Sequence, residues 1–190
     1  MSHSPEMKCV KNADGCVCLV DAEGIVWADV KSAGNTCALV LHNDKIPTIY
    51  CKDRTRREFS AEIVCENEKL AERCREALSL LIHSGYKKNW DWTMQMDMED
   101  LADFFGDHTL RFLPLEFKQS EIKREIKRAR REIPKNQSLL LYIRSSAKNY
   151  AAVCETIYDT MPYYLVQYSY DATMKDKMSV FIFYRDEDEA

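Results

Sequence analysis

Asp97 and Asp100, two carboxylates three residues apart, are the residues whose type and spacing most directly suggest chemistry. A pair of acids on one short loop can orient a water molecule or hold a proton when a reacting group is brought to it. Both fall in the stretch 90–101, WDWTMQMDMEDL, which also sets Trp90, Trp92, Met94, Met96 and Met98 at alternate positions. An extended segment puts all five on one face. Such a face makes a contact surface, because methionine is adaptable and tryptophan dominates contact energies. Asp97, Asp100, Trp90, Trp92 and Met96 are therefore the candidate partner-binding residues. A plainer role is open to the same residues. Either acid can cap a short helix over 99–105, and the apolar stripe can be a seam between two halves of the chain.

Two basic clusters offer a different chemistry. The loop 52–57, KDRTRR, carries Arg54, Arg56 and Arg57, which suit the oxygens of a phosphoinositide or another anion and suit a solvated loop equally well. Residues 118–135 hold eight basic and three acidic side chains in a chain of formal net charge -4. Within that run Lys123, Arg124, Lys127, Arg128, Arg130 and Arg131 crowd the polar face of an amphipathic helix. Arg124, Lys127, Arg128 and Arg131 are the candidate phosphate contacts of a nucleic-acid-binding alternative. Against it stand the lack of an aromatic RNA-binding signature, the acidic remainder of the chain and the acidic run 186–189, which can itself pair with the helix.

Catalytic sets are harder to assemble. No Ser-His-Asp, Cys-His or histidine metal set emerges from motif spacing, and His108 beside Asp107 has no nucleophile near it in sequence. No enzymatic role, cofactor or metal is expected. Seven of the eight cysteines fall in the first 74 residues, but Cys16-Val-Cys18 lacks the spacing of a zinc knuckle. With no secretion signal in the polar opening 1–7 and no apolar run of spanning length, a cytoplasmic chain with reduced, buried thiols is expected.

The elements that must position these residues fall into two patterns. Short apolar runs at 16–20, 24–30, 36–41, 47–51 and 59–65 are separated by Gly, Asn, Asp and Lys, which favours an antiparallel meander. A helix follows, capped by Asn67, ended at Gly85 and striped by Leu70, Ala71, Cys74, Ala77, Leu78, Leu81 and Ile82. Strands closed by one amphipathic helix loosely resemble a pleckstrin-homology-like barrel, by order alone. From residue 90 the pattern changes. A strand at 109–115 ending near Pro114, a helix capped by Ser120 and stopped by Pro134, and a strand at 138–144 come in turn. A helix opened by Asn149 follows, and then strands at 163–170 and 178–184. The chain reads as an α+β protein with a β-rich domain at 1–89 and an α/β domain at 90–190.

Several strings in the second half resemble the C-terminal domain of the tubulin/FtsZ family of polymerising GTPases, over about residues 93–185. Gln95-Met-Asp97-Met-Glu-Asp100-Leu101 is similar to the family's loop with two acids three apart, with Gln95 where Asn is usual. The charged helix ending in Pro134, the apolar strand and the helix after it follow in the family's order. Asp171-Ala-Thr-Met174-Lys-Asp176-Lys-Met178-Ser-Val180 looks like its closing hairpin. The resemblance also leaves open that the helix 67–83 stands where the family's central helix stands. It implies that Asp97 and Asp100 act toward a neighbouring subunit's nucleotide. The chain has five glycines, none clustered, so the family's glycine-rich phosphate loop is missing. The expectation is a non-catalytic binding or regulatory module, acting on a tubulin/FtsZ-like cytoskeletal or division filament.

Overall fold

Alternating apolar and polar residues in the first part of the chain build a run of antiparallel strands. A computed structural model describes residues 8–11, 17–20, 26–42, 58–85, 98–106 and 108–185. They form an α+β fold that divides into two units. The described residues of the first are those up to 85 together with 98–106 and 108–110, and those of the second are 111–185. The sequence pattern places its boundary at 89/90, and the described residues 98–110 group with the first unit.

In the first unit β1 (Lys8–Lys11), β2 (Val17–Val20), β3 (Val26–Ala33), β4 (Thr36–His42) and β5 (Glu58–Val64) pair in chain order, each antiparallel to the next. Between β3 and β4 the loop is tighter than the sequence suggests. Ala33 already pairs with Thr36, so only Gly34 and Asn35 make the turn, and Gly34 takes a positive φ of 56° that costs glycine nothing. Ala28, Val30, Cys37, Leu39, Ala61, Ile63 and Cys65 form the buried face. Against it lies α1 (Glu68–Gly85), which buries Ala71, Cys74, Ala77, Leu78, Leu81 and Ile82 at helical spacing. Asn67 accepts the Leu70 amide at 2.9 Å and caps the helix as expected. A short helix, α2 (Met98–Phe105), buries Leu101, Phe104 and Phe105 and lies beside β5.

The second unit is a mixed sheet. Its elements are β6 (Thr109–Lys118), α3 (Ile122–Glu132), β7 (Leu139–Ser145), α4 (Tyr150–Tyr158), β8 (Leu165–Tyr170) and β9 (Lys177–Arg185). The strands stand in the order β6-β9-β7-β8, with β7 parallel to β8 and antiparallel to β9. A parallel pair needs a crossover, and α4 supplies it. One face carries the helices. Leu115, Phe117, Leu139, Leu141, Ile143, Val166, Tyr168, Met178, Val180 and Ile182 pack there with Ile126, Ala129 and Ile133 from α3 and its end, and with Cys154, Ile157 and Met161 from α4 and its end. The other face is aromatic. Phe112 lies 5.1 Å from Phe183 and Tyr142 lies 5.8 Å from Phe181, centroid to centroid. Burial on both faces explains the nearly unbroken apolar run in β7.

Three local expectations change. Strand β1 has only Cys9 and Val10 between two lysines, too short a pattern to read, and it is present. Strand β6 runs through Pro114 to Lys118 instead of ending there, because a proline fits a strand wherever its nitrogen is not needed for the ladder. Ser120 does not cap α3. It lies inside a 3-10 turn, Gln119–Glu121, and the helix entry is tied instead by the Lys118 amide donating to the Glu121 carboxylate at 3.4 Å.

Candidate functional site

Helix α3 collects six basic and two acidic side chains on a scaffold fixed by Ile126 and Ala129, both fully buried. Its solvent face divides into two stripes. Arg124 donates from Nη2 to Glu121 Oε1 at 2.7 Å and from Nε to Glu125 Oε1 at 2.8 Å. Its guanidinium pKa rises above the ordinary value, first through the Glu125 bond and then through Glu121. Arg128 meets Glu125 at 3.3 Å and Glu132 at 3.9 Å. Arg130 turns back and donates to the carbonyls of Ile133 at 2.9 Å and Pro134 at 3.3 Å, closing the carboxyl end of the helix.

Lys123, Lys127 and Arg131 are different. All three are exposed, and among the described residues none has an acid partner or a hydrogen bond. Their i, i+4, i+8 spacing puts them on one line, with successive charges about 6 Å apart along the axis. Of the expected phosphate contacts Arg124, Lys127, Arg128 and Arg131, the structure thus pairs Arg124 and Arg128 with acids, leaves Lys127 and Arg131 open and adds Lys123. The acids at i−3 from both arginines, and at i+4 from Arg128, are the sequence signal for that division.

A second cluster gathers where β7 and β8 end. Arg144 Nη2 donates to Asp171 Oδ2 at 2.5 Å, and Asp171 Oδ1 accepts from the Thr173 amide at 2.9 Å and its hydroxyl at 2.6 Å. The Thr173 hydroxyl bond is the largest cause that holds the Asp171 carboxyl below its usual value, and Arg144 adds to it. Gln119 Nε2 donates to Ser146 Oγ at 2.9 Å and to the Lys175 carbonyl at 3.1 Å, and Ser146 donates to that same carbonyl. Lys175 is one of two non-glycine residues with positive φ among the described residues, at 53°. Three connections, β6–α3, β7–α4 and β8–β9, are therefore tied through polar groups of the chain itself. The hairpin string beginning at Asp171 has structural work at three of its matched positions: Asp171 anchors the turn, and Met178 and Val180 lie in the helix-facing core.

Asp100 is the third residue of α2 and is half-buried. It stands within the first turn, where an acid is favoured by the helix dipole, and not before the helix as a cap would. Asp97, Trp90, Trp92, Met96, Arg54, Arg56 and Arg57 lie outside the described residues, as do the expected strand 47–51 and the acidic run 186–189. In the first unit burial pushes the Cys74 thiol well above the usual range, and the neighbouring Cys37 and Cys65 add to it. Cys37, Cys65 and Cys74 are buried packing groups, and among the described residues no set of three His, Cys, Asp or Glu is arranged to hold a metal ion. Nor is any described helix long and apolar enough to cross a membrane. No protein-family model matches the chain, and no curated protein matches it in sequence.

Proposed function

We propose that the chain is a non-catalytic protein-binding or regulatory module that acts in the cytoplasm on a filament of tubulin/FtsZ-like subunits. The reading rests on one observation. The second unit has the order strand, helix, strand, helix, strand, strand that the resemblance implies, with both helices on one face and the matched hairpin between β8 and β9. The first unit supports a composite module: it is a meander whose strands β1 to β5 pair antiparallel in chain order, with a helix against it. In this reading Asp97 and Asp100 present acid to the exposed end of a filament, and the position of Asp100 in the first turn of α2 supports that role. The test is co-sedimentation of the full chain with assembled FtsZ or tubulin filaments. The chain is expected in the pellet, with at least tenfold weaker association for the Asp97→Ala, Asp100→Ala double variant. Absence from the pellet with both filaments, or binding untouched by the double variant, sinks the docking mechanism.

A second reading has its own observation. The open cations Lys123, Lys127 and Arg131 form a line that matches the spacing of successive backbone phosphates, and this favours electrostatic binding of a nucleic acid. It predicts binding of a single-stranded oligonucleotide that weakens steeply with salt. A flat anisotropy titration at low salt removes it.

A further inference from the structure

We infer that two copies of this chain pair through the outer edge of β8, antiparallel about a twofold axis, with the α4 helices of the two copies side by side. The inference goes beyond the filament reading and does not depend on it. Strand β8 ends the strand order of the second unit, and among the described residues no strand lies beyond it. An edge strand is a template for another strand, and chains normally guard it with lysine, proline or shortness. β1, the end strand of the first unit's meander, carries such guards: four residues, begun and ended by lysine. β8 carries none. From Tyr163 to Tyr170, YYLVQYSY, there is no charge, proline or glycine, and five of the eight residues are tyrosine or β-branched.

A second observation falls at the same corner. The exposed large apolar side chains among the described residues are Tyr158, 50% exposed, and Tyr164, 60% exposed. One ends α4 and the other immediately precedes β8, and both flank Tyr163, whose ring meets Tyr158 edge-on at 5.2 Å. The exposed side of α4 continues the patch with Ala151 and Ala152, and its one charge is Glu155. The contrast with α3 is sharp, since eight of the 11 residues of α3 are charged.

The occupant follows from charge. A surface that meets its own copy about a twofold axis meets its own charges, so like charge is the main bar to self-association. The segment Tyr163 to Tyr170 brings no charge to such a contact, and the exposed acids of α4 and its end are Glu155 and Asp159. The geometry also closes. Strands in a sheet lie about 4.8 Å apart, so a helix seated over β7 and β8 comes to about 10 Å from its symmetry mate across the β8–β8 junction. That is the packing distance of two helices, and the small Ala151 and Ala152 allow it. Tyr158 and Tyr164 of each copy are then covered.

The test uses the full chain alone, by sedimentation equilibrium from about 1 to 200 µM, together with hydrogen exchange of the β8 amides. The expected result is a mass of two chains at the upper end and slower exchange across Leu165–Tyr170 as concentration rises. The Tyr158→Lys, Tyr164→Lys double variant should weaken the dimer at least tenfold, and its thermal melt, recorded beside the native one, shows that the monomer remains folded at the temperature of the measurement although the Tyr158–Tyr163 ring contact is lost. A chain of single mass throughout, a dimer unaffected by the double variant, an open-ended polymer, or a dimer whose β8 amides exchange at the monomer's rate each overturns the inference.

Discussion

Arg144 and Asp171 meet at 2.5 Å where the parallel strands β7 and β8 end side by side, with the two side chains only 27% and 19% exposed. The pair is 27 residues apart in sequence, so it ties the start of the β7–α4 crossover to the start of the β8–β9 hairpin. Asp171 also holds the amide and hydroxyl of Thr173, which makes its carboxylate the anchor of the hairpin turn.

That anchorage depends on pH with a definite sign. The folded carboxyl titrates below its usual value, so the folded state binds fewer protons than the unfolded state in acid. Its stabilisation is complete above the unfolded aspartate value of about 3.9 and is lost as pH falls through the lower folded value. Asp171→Asn should therefore cost about 1–2 kcal/mol at pH 7, the usual worth of a charge-assisted hydrogen-bond set. The difference from the native chain should shrink below about pH 4. Urea unfolding of both chains at pH 7 and pH 3 measures it, and an equal gap at the two values would remove Asp171 as the cause.

The buried thiols give a prediction about reactivity. Cys37, Cys65 and Cys74 are at most 3% exposed and Cys154 is 5% exposed. Burial also raises the Cys74 and Cys154 thiols, so little nucleophilic thiolate forms at neutral pH. Alkylation by iodoacetamide, mapped by peptide mass, should be at least about tenfold slower at these four positions in the native chain than in denaturant, because it waits on local opening. Rapid labelling of Cys74 in the native chain would contradict the packing of α1 on the meander.

What could be read from the sequence follows a physical rule. Long periodic patterns were legible: α1 announces itself through Ala71, Cys74, Leu78 and Ile82, and β7 through Leu139, Leu140 and Leu141. Features made by residues far apart were not. Gln119 gives no local sign that it joins Ser146 and Lys175, since no propensity links positions 27 and 56 residues away. Pro114 misleads because its local preference ends strands while the sheet around it tolerates it. The division of α3 into paired and open cations lay in between. Glu121 and Glu125 stand three residues before Arg124 and Arg128, a spacing that could have been read and that halves the apparent phosphate-binding set.

Two asparagines test how far local signals carry stability. Asn67 accepts the Leu70 amide at 2.9 Å and Asn149 accepts the Ala152 amide at 3.2 Å, each satisfying a donor that the helix itself cannot. Asn67→Ala and Asn149→Ala should each cost about 1 kcal/mol, and the glycine variants only a few tenths. In a chain of 190 residues that corresponds to a melting shift of about 2–4 °C, readable by circular dichroism. Alanine variants as stable as the native chain would mean that the side-chain oxygen contributes nothing.

The stripes of α3 separate charge from position. If phosphates are bound, the open cations Lys123, Lys127 and Arg131 bind them, because Arg124 and Arg128 already spend their donors on Glu121, Glu125 and Glu132. Reversing Lys123, Lys127 and Arg131 to glutamate should weaken oligonucleotide binding strongly while leaving it measurable at low salt. Each phosphate of a single strand that is no longer neutralised should flatten the salt dependence by about 0.7 in the logarithmic slope, about 2 for all three. Reversing Arg124 and Arg128 changes the net charge by four instead of six, so a purely non-specific effect of charge would weaken binding by a comparable amount. The prediction is that this second variant retains most of the native salt slope while the first does not. Fluorescence anisotropy with a labelled oligonucleotide between about 20 and 200 mM salt, roughly the range over which counterion release is strongest, distinguishes the two. Equal weakening in both variants would show that total charge, and not the open stripe, governs the binding.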